Sequence, residues 1–233
     1  MAEAIRIGDP AIEIRLRRSG RARRMVLRLA HAGAGPTLTL PPGVPIAKAR
    51  AFLADHEAWL RGHMAARPAA ATVGDGTVLP VGDRTLTIRA GAGRATIHRD
   101  GILTVPGPEA SRALRVAAWL REEARRECVT AVDRHAAALG VRAGRISLRD
   151  PRSRWGSCTA SGDLMFSWRL VMAPSAVLDY VVAHEVAHIA ELNHSPRFWA
   201  VVRRLCPDFQ ASRDWLRRNG AALHVLDFGG RAA

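Results

Sequence analysis

The chain has 233 residues, 48% of them hydrophobic, with a formal net charge of +14 and a pI near 11.5. That length and apolar share point to a globular, soluble chain forming one large domain or two small ones. The N-terminus lacks an apolar signal core and no later run approaches bilayer-spanning length, which argues against export and against a membrane span.

From Ile12 to Leu40 short runs alternate apolar and polar residues, broken at Ser19-Gly20 and at residues 33–35, which predicts antiparallel strands. Seven arginines, Arg15, Arg17, Arg18, Arg21, Arg23, Arg24 and Arg28, fall in this stretch with no acid among them. They form either a solvated hairpin face or a surface for a nucleotide or nucleic acid, because clustered guanidinium groups recruit phosphates by releasing counterions. All basic residues but Lys48 are arginine, so compositional bias also accounts for the charge.

After Pro41-Pro42-Gly43 the apolar spacing at Ile46, Ala49, Leu53, Leu60 and Met64 predicts one helix over about 45–66, carrying His56 and His63. A connector over 68–76 precedes a second alternating region, Val78 to Val105, read as further antiparallel strands. Val116, Leu120, Ala124, Cys128, Val132, His135 and Leu139 then share one stripe of a long amphipathic helix that Gly140 stops. His135 reads as a core histidine or as a partner to a metal-ligating ring.

Residues Arg145–Arg149 and Leu164–Leu170 alternate strictly and are expected to pair as a hairpin, with Arg154-Trp155-Gly156-Ser157-Cys158 in the connecting loop. Pro174-Ser175 opens a helix, and Ser195-Pro196 opens a last one ending by Pro207, a hydroxyl cap followed by proline. No internal repeat is evident. The layout predicts an α+β chain, with an N-terminal antiparallel β region (1–107) and a C-terminal helical metal-binding domain (108–233).

The apolar helix from Leu178 to Ile189 carries His184-Glu185-Val186-Ala187-His188, so its two imidazoles stand one turn apart on one face. That spacing chelates zinc, with Glu185 placed to activate water rather than to ligate. A third ligand comes from His194, at a chain reversal, or from Glu191, seven residues after His184 on the same face; His194 is the preferred one. Three histidines leave a coordination position open, as a catalytic site requires, whereas a structural zinc would want thiolates and Cys206 alone is near. Cys128, Cys158 and Cys206 are odd in number and form no C-x-x-C, which fits a reducing, cytoplasmic compartment. Around the site, Arg154 and the amides near Gly156 and Ser157 are candidates to bind negative charge; Trp155 is a packing residue or a cleft residue, and Tyr180 a core tyrosine or a substrate contact.

Together RWGSC (Arg154–Cys158), HEVAH (His184–His188) and NHSPRFW (Asn193–Trp199) resemble the YgjP-like metallopeptidase family, chiefly over Arg145–Leu205, and more distantly SprT-like and Wss1-like zincins. The spacing also matches metzincins, but Glu191 stands where they have glycine. The resemblance implies a minimal zincin fold with one Zn2+ per chain in a bacterial cytoplasm. The expected activity is hydrolysis of a peptide or protein by water that Glu185 activates. Two alternatives stand beside it, a metal-dependent nucleotide pyrophosphatase or phosphohydrolase and a nucleic-acid-associated SprT-like protease module. If the strand Leu164–Leu170 lies at a sheet edge, an extended substrate would add to it.

Overall fold

The computed structural model describes residues 3–29, 35–65 and 71–229. Its architecture is α+β, in two compact units, Met1–Ala70 and Ala71–Ala233. The division falls ahead of the expected 107/108 boundary, because the second sheet shares its core with the long helix that follows it. The expected break at 33–35 and the start of the 68–76 connector lie partly outside the described residues.

In the first unit β1 (Ala4–Ile7), β2 (Ile12–Arg18), β3 (Val26–Arg28) and β4 (Thr37–Leu40) form a sheet of order β1-β2-β4-β3. The sheet is mixed rather than all antiparallel: β3 takes the edge beside β4, so β4 returns parallel to β2. Alternation sends Ile5, Ile12, Ile14, Leu16, Leu38 and Leu40 inward against Ala49, Leu53 and Leu60. The opposite parity puts Arg15, Thr37 and Arg28 side by side in one cross-strand row, with Arg17 and Thr39 in the next. The expected single helix is two, α1 (Ile46–Asp55) and α2 (Glu57–Ala65), separated at His56 with φ −107°. The His56 and His63 rings bond the carbonyls of Phe52 and Trp59 four residues earlier, both at 2.8 Å, and so serve their own helices.

The second unit repeats this topology. Strands β5 (Ala71–Thr72), β6 (Val78–Val81), β7 (Arg84–Gly91), β8 (Ile97–Arg99) and β9 (Ile102–Pro106) come first, and the last four form a sheet of order β6-β7-β9-β8. Again the outer pairs are antiparallel and the central pair parallel. Each sheet is followed by a helix entered through a proline at φ −66°, Pro45 before α1 and Pro108 before α3 (Glu109–Leu139). A four-strand-plus-helix module is thus duplicated in structure, although no repeat shows in the residues, since a buried face asks only for apolar character at alternate positions.

Val116, Ala117, Leu120 and Ala124 of α3 cover Leu79, Val81, Leu86, Ile88, Leu103 and Val105, and Gly140 caps the helix in the left-handed region at φ 68°. Next come β10 (Ile146–Arg149), β11 (Gly156–Cys158) and β12 (Leu164–Ser167), in the order β10-β12-β11. The expected hairpin is not formed: β10 and β12 run parallel, and the segment read as a loop supplies β11, antiparallel to β12. Strand β12 is therefore central, and it gives way at Trp168 to a 3-10 turn through Met172. Arg169 in that turn is buried, paired with Asp150 at 2.7 and 3.1 Å and bonded to the carbonyls of Leu223 and Leu226, which ties the loop after β10 to the C-terminal segment.

Helix α4 (Ser175–Ala190) lies in the core between α3, α5 (Pro196–Leu205) and α6 (Phe209–Asn219). Helix α6 was not expected, because the helix before it reads as the last. Its Phe209 and Ser212 are buried, and Ser212 Oγ donates to the Ala176 carbonyl of α4 at 3.1 Å. Strand β13 (Leu226–Asp227) closes the unit by pairing parallel to β5. Among the described residues no helix is long and apolar enough to cross a membrane.

Candidate metal centre

Helix α4 is apolar on nearly all sides because it is buried on nearly all sides, so its polar residues at 184, 185 and 188 stand out. One turn separates His184 from His188, and the reversal at 191–195 returns His194 to them: one ring nitrogen from each lies within 4.8 Å of those of the other two. Ser195 fixes that reversal, accepting from the Phe198 amide at 3.4 Å as the cap of α5. Glu191 is not among the converging side chains; its backbone carbonyl lies 3.1 Å from His188 Nδ1, which orients that ring.

The donor set suits a divalent cation. His184 Nε2 and His194 Nε2 face each other at 3.1 Å, close enough to share a proton or, with both lone pairs turned inward, a cation. Burial, then the neighbouring His188, His194 and Arg213, hold His184 down at about 4, so it is a neutral imidazole at neutral pH. Burial likewise lowers His188. Neutral rings are the form that ligates metals. The other nitrogen of His184, Nδ1, is buried without a protein partner.

Beneath the triad lies Phe198, fully buried, stacked under His188 at 4.4 Å and edge-on to His184 and His194 at 4.9 and 4.8 Å. Trp199 borders it, 5.8 Å from both His184 and His194. Neither aromatic was assigned a role from the sequence; the i+4 offset of Phe198 from His194 across a helix cap was the available signal. Tyr180, one turn before His184, is buried, stacks on Phe209 at 6.1 Å and meets His184 in a T-shaped contact with ring centres 6.0 Å apart, a core position.

Glu185 is only 7% exposed, and burial pushes its carboxyl up to about 7 against the opposing field of Arg154. Strand β11 determines its place. A Cβ on Gly156 would lie 2.6 Å from Glu185 Cγ and Oε1, so glycine is what allows the strand and the carboxylate to meet. The ladder bonds fix which amides are available: Ser167 donates to the Trp155 carbonyl at 2.8 Å and Thr159 to the Asp163 carbonyl at 2.9 Å. By antiparallel alternation, Ser157 is engaged with β12, while the N–H and C=O of Gly156 and Cys158 face the edge that, among the described residues, carries no further strand. Arg154 is exposed just before the strand; Trp155 packs between both core clusters of this unit, stacked on His224 at 5.2 Å.

A family model for the YgjP-like metallopeptidase domain matches residues 23–219. Among solved structures, the metallopeptidase zymogen abylysin of Pyrococcus abyssi is 18% identical, over 40% of this chain and 92% of that one, at a TM-score of 0.36. Jannalysin of Methanocaldococcus jannaschii, also a metallopeptidase zymogen, is 18% identical over 37% of this chain and 93% of that one, at 0.32. No curated protein sequence matches. With its match extending from the first sheet to the end of α6, the chain belongs to the YgjP-like metallopeptidase family.

Proposed function

We propose that the chain is a zinc-dependent peptidase in which His184, His188 and His194 hold the metal and Glu185 is the general base. The observation that carries this reading is the pairing of three converging imidazoles with a buried carboxylate one residue from the first of them. Zinc held there would act as a Lewis acid on the scissile carbonyl and lower the pKa of the attacking water. Glu185 accepts a proton from the attacking water and returns it to the leaving amine, a role that suits a carboxyl whose burial raises its proton affinity. Gly156 keeps the carboxylate against β11, and the outward N–H and C=O groups of Gly156 and Cys158 receive an extended peptide as an added strand. On this reading substrate adds to β11; the condition under which Leu164–Leu170 would receive it, a place at the sheet edge, is not met, because β12 is the central strand. Arg154 offsets negative charge developing at the carbonyl oxygen.

Glu185→Gln is expected to keep one zinc per chain by metal analysis of untagged protein while peptide turnover falls by at least about a hundredfold, the scale of a lost general base. His188→Ala is expected to lose both metal and turnover. Full turnover by metal-free protein would overturn the reading.

The family match favours an amide over a phosphoanhydride as the bond cleaved. A second reading, of nucleic-acid association, is favoured by one observation: Arg15, Arg17 and Arg28 are exposed on the same face of the first sheet, and Arg21, Arg23 and Arg24 are exposed in its β2–β3 loop. Phosphodiester backbones suit such a face.

A further inference from the structure

The rim of the metal centre carries a cation to which neither the sequence nor the family match gives a role. Helix α6 presents Arg213 exposed, its guanidinium carbon 5.1 Å over the ring of Trp199. That indole is itself fixed, stacked on Phe209 at 5.5 Å and 5.8 Å from His184 and from His194. A guanidinium lying over an aromatic face is pre-oriented, and its in-plane N–H donors remain free to grip a planar anion. Among the described residues Arg213 has no carboxylate partner; its neighbour Asp214 pairs with Arg217 at 3.3 Å.

We propose that Arg213 is a specificity-determining residue that binds a carboxylate of the substrate, so that the site prefers peptides presenting an acid close to the scissile bond. The inference rests on the peptidase reading and gives it a substrate class. Two sources offer the same chemistry, the α-carboxylate of a C-terminal residue and an aspartate or glutamate side chain. Either accepts two parallel N–H bonds from the guanidinium edge.

The test uses zinc-loaded Glu185→Gln protein, in which binding is read without turnover, and three probes: a blocked penta-alanine amide, the same peptide with a free C-terminal carboxylate, and the amide with its central alanine replaced by glutamate. Calorimetric titration is expected to show one acidic probe binding about tenfold tighter than the neutral amide, the scale of one charge-assisted hydrogen bond. The peptide that gains identifies the source. Adding Arg213→Met is expected to bring that probe down to the neutral affinity with zinc content unchanged, and Arg213→Lys to restore part of the preference. Equal or absent binding of all three probes, or a preference that survives Arg213→Met, overturns the proposal. Hydrolysis of the same probes by the unsubstituted protein is scored separately: no cleavage of any probe with the carboxylate preference intact counts against the peptidase reading and leaves the Arg213 assignment standing.

Discussion

Glu185 depends on a residue that has no side chain. Any Cβ at position 156 must displace either the carboxylate or strand β11, and both belong to the proposed machinery. Gly156→Ala is therefore expected to lower kcat by about ten- to a hundredfold, because a displaced general base loses its geometry while the histidines, on other backbone, keep their metal. Steady-state kinetics beside metal analysis checks this, and an unchanged kcat would show that the close approach is not used. Phe198 has the opposite character. It contributes packing alone, yet the three rings rest on it.

At the scale of elements, α4 must be held at a fixed height against α3 for His184 and His188 to meet His194. A polar clamp contributes to this: buried His135 on α3 bonds Asp179 on α4 at 2.7 Å, and Arg134 bonds the same carboxylate oxygen. His135 is thus tied to the metal helix rather than to a ligating ring, five residues ahead of His184. Burial alone would raise Asp179, but its bond to His135 and the nearby charges of His135 and Arg134 leave it below the ordinary aspartate value. A carboxyl whose folded-state pKa is lowered stabilises the fold above its unfolded pKa, and that stability is lost as pH falls through the folded value. Asp179→Asn is expected to cost about 1–2 kcal/mol at neutral pH, as a charged hydrogen bond does, and the deficit is expected to vanish below the ordinary aspartate range. Denaturant melts of both proteins across pH measure it; a deficit independent of pH would assign the effect to shape alone.

For the whole molecule, the net charge of +14 becomes a claim about partners only where arginines are gathered. The cross-strand row Arg15–Thr37–Arg28 gathers two, with Arg17 beside them. If that face binds phosphodiester backbones, affinity for double-stranded DNA falls steeply from 50 to 200 mM salt, and Arg15→Glu with Arg28→Glu flattens the slope by about two contacts. Binding indifferent to those substitutions would return the charge to its solubilising role.

The sequence by itself determined what depends on chain-local geometry. Helical pitch places His184 and His188 on one face, a stripe of seven residues between Val116 and Leu139 marks α3, and Ser195-Pro196 marks the reversal before α5, because each requires only neighbours within a turn or two. Tertiary structure alone decided what joins distant segments. The pattern of β10 and β12 fits a hairpin as well as a parallel pair, since alternation reports burial and not direction. The meeting of Gly156 with Glu185, the helix that carries Arg213 to Trp199, and the duplicated sheet topology all arise from packing between residues far apart in the chain. Many sequences satisfy one apolar pattern, and close packing in three dimensions selects among the folds that pattern permits.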